Sequence, residues 1–458
     1  MTALTRAALL LIALAAAGSQ AGEAPPANVI LFIGDGMDEH QVTLARNYLH
    51  GAEGSLTMEQ LPLRSSARVQ TLREEDPGRF RYVADSANTA STLATGQLTS
   101  LGRISTSPAS DKDMATILER SRQAGLRTGL VTTSSLTDAT PAAFASHTAH
   151  RHCQSPADMG QPIGYAPATQ QCQRDLPSNG GPGSIAEQLL NSGVVVLLGG
   201  GRKHFSRASG HQSLAANAGD HGYRLLTGRA ELLAKGQDTT GPLLGLFAES
   251  HLPVEWRGEQ NRRAEPVARD KQGNPRFPAA FSCEKNPGHS DTPTLTEMTE
   301  AALERLTADP NRGFFLMVEG ASIDKQAHRR NPCGEIGELR AFDLAVQAGR
   351  QFANSHPNTL VIVTADHGQA GQIVPLPEYF LGWGNKQYPP GYYAVLKTRS
   401  GELMAVSYAT NAPPQGESEV HTGINVPVYL YGIEAAKVPS LMDQRQINRL
   451  MADHLGLK

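Results

Sequence analysis

Carboxylates, imidazoles, a serine and an arginine recur in this chain where apolar runs end, and their types suit metal-assisted chemistry on a phosphoryl group. Gly34-Asp35-Gly36 follows the run Val29 to Ile33. A carboxylate between two glycines at a strand end faces the ligand crevice, and the glycines let backbone come close to a metal or phosphate. Asp138-Ala139-Thr140-Pro141 follows Gly129 to Thr133. Taken as extended, this segment points Asp138 and Thr140 to one side, so both oxygens reach one hard cation. Arg151, flanked by His150 and His152, carries a planar fork suited to two phosphate oxygens.

The richest segment runs from Val318 to His328. Glu319 stands at the end of an apolar run, and Asp324 and His328 are spaced i, i+4, a chelating pair on one helical face. Lys325 lies between them. Asp366-His367 ends the run Leu360 to Ala365, and His421 follows the acidic stretch Glu417-Ser418-Glu419. Ser86, in Asp85-Ser86-Ala87-Asn88-Thr89-Ala90-Ser91, precedes a stretch expected to be helical; backbone N–H groups and the helix dipole there suit a nucleophile aimed at a phosphoryl group. Singly, these are an Asp-Gly turn, an N-cap serine and ordinary ion pairs. Their recurrence at one strand end after another points to a site. The absence of a Gly-x-Ser-x-Gly elbow leaves a serine-hydrolase triad without support.

The elements that must position them are short buried strands: Val29 to Ile33, Gly129 to Thr133, Val194 to Leu198, Leu243 to Phe247, Phe314 to Val318 and Leu360 to Ala365. Helical spacing appears between several, in Thr294 to Leu306 and in the run with Ile336, Leu339, Phe342, Val346 and Phe352. This alternation predicts an α/β fold, a single large and mainly parallel sheet covered by helices on both faces, with ligands outside the carboxyl ends of its strands. Segments Cys153 to Gly181, Arg202 to Pro242 and Pro253 to Thr292 are polar and rich in turn residues, and read as surface insertions. Pro375, Pro377, Pro389 and Pro390 mark another.

Composition narrows the function. With 41 Lys and Arg against 44 Asp and Glu, a net charge of −3 and no long basic run, the chain lacks the footprint of a nucleic-acid binder. Arg6 is the only charge before Glu23, and the apolar run Ala7 to Ala17 ends near Ser19-Gln20-Ala21. Residues 1–21 read as a signal peptide, leaving 22–458 as the catalytic domain, exported to the periplasm or secreted, with no stable membrane insertion after cleavage. In an oxidising compartment four Cys allow three pairings. Cys153 with Cys172 and Cys283 with Cys333 is preferred, because each pair staples a polar excursion, contributing roughly 3 and 4 kcal/mol through loop entropy.

Together these segments resemble the bacterial alkaline phosphatase family across nearly the whole mature chain, including Gly183 to Leu190, Leu198 to Gly201 and Pro242 to Ala248. The resemblance implies hydrolysis of small phosphate monoesters through a phosphoserine at Ser86, with two Zn2+ and one Mg2+ per chain. By position, Asp324, His328 and His421 match the ligands of one zinc, and Asp35, Asp366 and His367 those of the other. Asp35, Asp138, Thr140 and Glu319 match the magnesium site. Arg151 matches the phosphate-binding arginine, and Lys325 a lysine near the phosphate. The resemblance also implies a homodimer, and the family's disulfide pairing agrees with the sequential one. The chain departs from the family signature at Asn88 and Ser91, neither expected as a ligand. Related sulfatases need a Cys/Ser-x-Pro-x-Arg context that Ser86 lacks, and related diesterases commonly use Thr without the arginine and third-metal set; Arg151, Asp138 and Thr140 favour a monoester.

Overall fold

A computed structural model describes residues 25–206, 213–235, 241–376, 391–408 and 418–458. The proposed signal peptide, Pro377, Pro389, Pro390 and Glu417 lie outside the described residues. The central sheet has ten strands: β1 Asn28–Gly34, β2 Leu63–Arg68, β3 Arg127–Ser135, β4 Val196–Gly200, β5 Arg224–Leu226, β6 Leu243–Leu246, β7 Phe314–Gly320, β8 Thr359–Ala365, β9 Val426–Tyr431 and β10 Leu441–Asp443. Their order is β10-β2-β9-β8-β1-β7-β3-β4-β6-β5. Seven of the nine pairings are parallel, and β9 is antiparallel to both β8 and β2.

All six apolar runs become strands of this sheet because they can be buried on both faces: β1, β7 and β8 are buried at every position. Helices cover them. Leu295–Leu306 starts with a Thr294/Glu297 capping box. Pro332–Ser355 has proline in its first turn and sets Phe342 edge-on against Phe32 of β1.

The insertions need correction in two places. Arg202 to Pro242 contains β5, so its described part ends the main sheet instead of lying wholly outside it; three residues are too few for periodicity to reveal. The segments around Pro375 flank a second, four-stranded sheet of Glu265–Pro266, Tyr392–Lys397, Leu403–Ser407 and Gln372–Val374. Cys153 to Gly181 is an excursion of turns and short 3-10 segments, closed by Cys153–Cys172 (Cα–Cα 5.3 Å), and Cys283–Cys333 (Cα–Cα 5.2 Å) closes the other.

Candidate active site

The register of the central strands levels the site. Gly34 of β1 pairs with Gly320 of β7 and Ala365 of β8, so Asp35, Asp366 and the start of the helix Ser322–His328 emerge side by side at the carboxyl edge. Glu319 opposes Thr132 of β3 and accepts hydrogen bonds from Thr132 and Ser134. The Gly36 N–H donates to Asp366 Oδ1 at 2.9 Å, tying two of these strand ends together.

Two sets of ligand atoms converge here. Asp324 Oδ1 lies 3.3 Å from His328 Nε2 and 3.4 Å from His421 Nε2, and the two imidazole nitrogens are 3.1 Å apart. His367 Nε2 lies 3.4 Å from Asp35 Oδ1 and 3.3 Å from Asp366 Oδ2. His367 is also close enough to Asp324 and His421 for the three to form a candidate metal group, so the two sets adjoin. A tetrahedral ion with bonds of about 2.0–2.1 Å has ligand atoms about 3.3–3.4 Å apart, which matches both sets.

The hydrogen bonds on the far side of each ring bear on whether a metal fits. Nδ1 of His328 faces the Glu419 carbonyl, Nδ1 of His421 the Ala84 carbonyl at 2.9 Å, and Nδ1 of His367 the Gly368 carbonyl at 3.2 Å. Each Nδ1 therefore carries the proton and leaves Nε2 with a lone pair. Lone pairs then face lone pairs and carboxylate oxygens across little more than 3 Å, an arrangement that a cation between them stabilises. Asp366 Oδ2 is buried without a hydrogen-bond donor among the described residues, as that reading requires.

Electrostatics point the same way. Burial, with Asp366 and Asp324 adding repulsion, pushes the Asp35 carboxyl well above the usual range, and burial also raises Glu319. Burial opposes ionisation of Asp324, but positive charge at His328 and His421 outweighs it and holds its carboxyl well below the usual range, and a cation between neutral rings would supply that charge instead. Burial lowers His367, favouring the neutral ligand form.

Ser86 is the first residue of the helix Ser86–Thr95, inside it instead of ahead of it as the sequence suggested. Its Oγ lies 3.1 Å from His367 Nε2 and 3.4 Å from Asp35 Oδ1, with 3% of the residue exposed. The two departures around it have structural work. Asn88 completes a capping box with Asp85, donating its N–H to Oδ1 at 3.0 Å and accepting from the Asp85 N–H at 2.9 Å. Ser91 Oγ donates to the Arg103 carbonyl and accepts the Ser105 N–H.

Asp138 differs from the sequence expectation. It is not in an extended segment with Thr140; it N-caps the helix Ala139–Ala145, with Thr140 in the first turn, because its side chain accepts the Ala139 N–H. Its oxygens face cations: Oδ1 accepts from Arg151 Nη2 at 3.1 Å and Oδ2 from Lys325 Nζ at 2.9 Å. Burial would raise this carboxyl, yet Lys325 and Arg151 hold it well below the usual range. The same carboxylates keep Lys325 firmly protonated despite burial. Thr140 Oγ1 is buried beside Glu319, and together they offer neighbouring oxygens to a hard cation. Asp35 and Glu319 could share such an ion with it, and Asp138 could reach it through water.

Supporting residues were missed in the sequence. Asp85 holds Arg151 Nη1 at 3.4 Å as well as capping the serine helix. Gln369 donates to Asp324 Oδ1 at 2.6 Å, and His251 Nδ1 lies 3.8 Å from Asp138 Oδ2. Asp85 alone had a legible signal, as an acidic N-cap before Ser86.

Known proteins are similar to the chain over nearly its whole length. The family profile described as alkaline phosphatase matches residues 26–457. The chain is 42% identical over 468 residues to streptomycin-6-phosphate phosphatase of Streptomyces griseus, covering 98% of this chain and 96% of that protein. It is 40% identical over 442 residues to alkaline phosphatase of Escherichia coli (strain K12), covering 95% and 87%. The structure of Thermus thermophilus alkaline phosphatase shares the fold, with a TM-score of 0.66, 22% identity and coverage of 95% of this chain and 92% of that one.

Proposed function

The chain belongs to the alkaline phosphatase family and is a phosphoric monoester hydrolase, and on that premise we propose that Ser86 is its nucleophile. Alkaline phosphatases are metal-dependent and act on small phosphate monoesters. We further propose two Zn2+, one on Asp324, His328 and His421 and one on Asp35, Asp366 and His367. One Mg2+ is assigned to Asp35, Thr140 and Glu319, with Asp138 acting through water.

When bound, the zinc ions supply Lewis acidity to the attacking and leaving oxygens, and the magnesium ion adds positive charge beside them. The remaining chemistry belongs to the chain. Ser86 Oγ, having lost its proton to solvent, bonds to phosphorus as the bond from phosphorus to the ester oxygen breaks. The electron pair goes to that oxygen, which leaves as the alcohol after taking a proton. Water then bonds to phosphorus from the opposite side, the Ser86 Oγ–phosphorus bond breaks, and inorganic phosphate departs. Arg151 aims its fork at two non-bridging oxygens of the phosphoryl group, held in place by Asp85 and Asp138. Lys325 adds a fixed charge on the same side.

The observation that carries this reading is the placement of Ser86 Oγ between His367 Nε2 and Asp35 Oδ1 at a helix N-terminus. Export to the periplasm or beyond, with removal of residues 1–21, is proposed with it. Two disulfides support that, since such bonds persist in oxidising compartments. Among the described residues no helix is long and apolar enough to cross a membrane. A homodimer is proposed from the family resemblance. The deciding experiment is phosphoenzyme trapping: acid quench with radiolabelled phosphate should label the wild type at Ser86, and Ser86→Ala should keep its fold and metals but neither label nor turn over appreciably. Wild-type labelling of the alanine variant would remove Ser86 from this role.

A further inference from the structure

One face of the helix Ser322–His328 carries the candidate ligands Asp324 and His328. The opposite face, with Ser322, Lys325 and Gln326 and with Arg329 just beyond the helix, lines a separate cleft of about 440 Å3. The i, i+3, i+4, i+7 spacing of these four puts them on one stripe. Across the cleft stand Arg257, Arg262 and Arg263, and among the described residues its lining contains no Asp or Glu. The volume is within the range of small-ligand clefts, roughly 300–1,000 Å3.

The charges differ in how they are engaged. Arg257 is paired with Glu284 at 2.8 Å and Arg262 with Glu265 at 2.7 Å. Arg263 and Arg329 are exposed and have no carboxylate partner among the described residues. Lys325 joins this cleft to the phosphoryl clamp, since its Nζ and Arg151 Nη2 hold the two oxygens of Asp138. The arginine wall is also fixed in place. Gly258 pairs with Cys283, and Cys283 is bonded to Cys333 in the helix that begins three residues after Arg329.

A carboxylate-free cleft with two unengaged guanidiniums, next to a site that grips one phosphate, suits a second strong anion. We propose that it is a subsite for a further phosphate group of the substrate, so that the enzyme favours esters whose alcohol carries a second phosphate a short spacer away. This rests on the phosphomonoesterase reading above. The functional contribution of Cys283–Cys333 is then to hold the arginine wall against the helix.

The test compares propyl phosphate with propane-1,3-diyl bisphosphate, using wild type and the exposed variants Arg263→Gln, Arg329→Gln and the double. The expected result is a tenfold or greater fall in kcat/KM for the bisphosphate in the double variant, carried mainly by KM, with less than a twofold change for propyl phosphate. A calorimetric titration on the metal-loaded protein reads binding without turnover: propane-1,3-diyldiphosphonate, which has the spacer of the bisphosphate, should lose at least tenfold in affinity in the double variant, and propylphosphonate should not. Equal losses for both members of either pair, or no loss, would overturn the subsite. Failure of wild type to hydrolyse propyl phosphate would instead overturn the phosphomonoesterase reading, with the titration still deciding the subsite.

Discussion

Replacing Arg151 with alanine should lower kcat/KM for 4-nitrophenyl phosphate by roughly 30- to 1,000-fold. Two charge-assisted hydrogen bonds from one guanidinium to phosphate oxygens contribute about 1.5–3 kcal/mol each. Against that stands what the arginine already has: Asp85 at 3.4 Å is a weak contact and Asp138 at 3.1 Å a fair one, so binding phosphate exchanges some existing interaction for new. A net loss of about 2–4 kcal/mol remains, and each 1.36 kcal/mol is a factor of ten. The fold should survive, because Asp138 keeps Lys325 and Asp85 keeps its helix cap. Steady-state kinetics with added guanidinium chloride provide the assay, in which millimolar guanidinium should restore part of the rate to Arg151→Ala. Arg151→Lys should recover charge but not the two-pronged geometry, and fall between alanine and wild type. A variant within threefold of wild type, or one that guanidinium leaves unchanged, would refute the clamp.

Free-thiol titration of unreduced, denatured protein should find no thiols, since both bridges are formed and no cysteine is free; four titratable thiols in exported protein would contradict this. Glu338 is buried, accepts the Glu255 N–H at 3.0 Å, and burial pushes it up to about 8. A carboxyl raised in the folded state loses stability as pH climbs from its unfolded value near 4.5 to about 8, so Glu338→Gln should be neutral near pH 5 and stabilising by on the order of 4 kcal/mol above pH 8. Denaturant melts at the two pH values measure it, and a difference independent of pH would show that Glu338 does not titrate in this window.

Much of the candidate site was legible because the carboxylates proposed as ligands sit directly after apolar runs, and two-sided burial makes such runs visible as strands. Asp35, Glu319 and Asp366 needed only the rule that parallel sheets bind at their carboxyl ends. What sequence spacing could not supply was convergence: the hydrogen-bonded Nδ1 of His421 depends on the Ala84 carbonyl, more than three hundred residues away in the chain. The antiparallel strand β9 was hidden for another reason. Val426-Pro427-Val428 carries a proline that argues against a central strand, and it is tolerated because it is the second residue of the strand, beyond the last position paired with β8, with only β2 in register beside it. Asp138 was misjudged locally, since an aspartate before Ala-Thr-Pro is a helix cap as readily as an extended residue.

The charge balance bears on the third ion. Asp35, Asp85, Asp138, Glu319, Asp324 and Asp366 are six carboxylates facing two side-chain cations, Arg151 and Lys325, which leaves four negative charges when all are ionised. A phosphate dianion brings two more, and three divalent ions match the resulting six. Two zinc ions would balance the free site, so magnesium should matter most when substrate is bound. Its oxygen-only donors from Asp35, Thr140 and Glu319 suit that hard ion over zinc. Asp138→His removes one of the six charges, frees Lys325 from its 2.9 Å partner and introduces a nitrogen donor, all of which disfavour magnesium. Apo-enzyme given zinc alone should therefore be partly active and respond to added magnesium, whereas Asp138→His should respond little and bind a third zinc or cobalt. Metal analysis alongside a magnesium titration of the rate gives the answer. Wild type that holds zinc at all three positions with full activity and no magnesium response would remove the assignment.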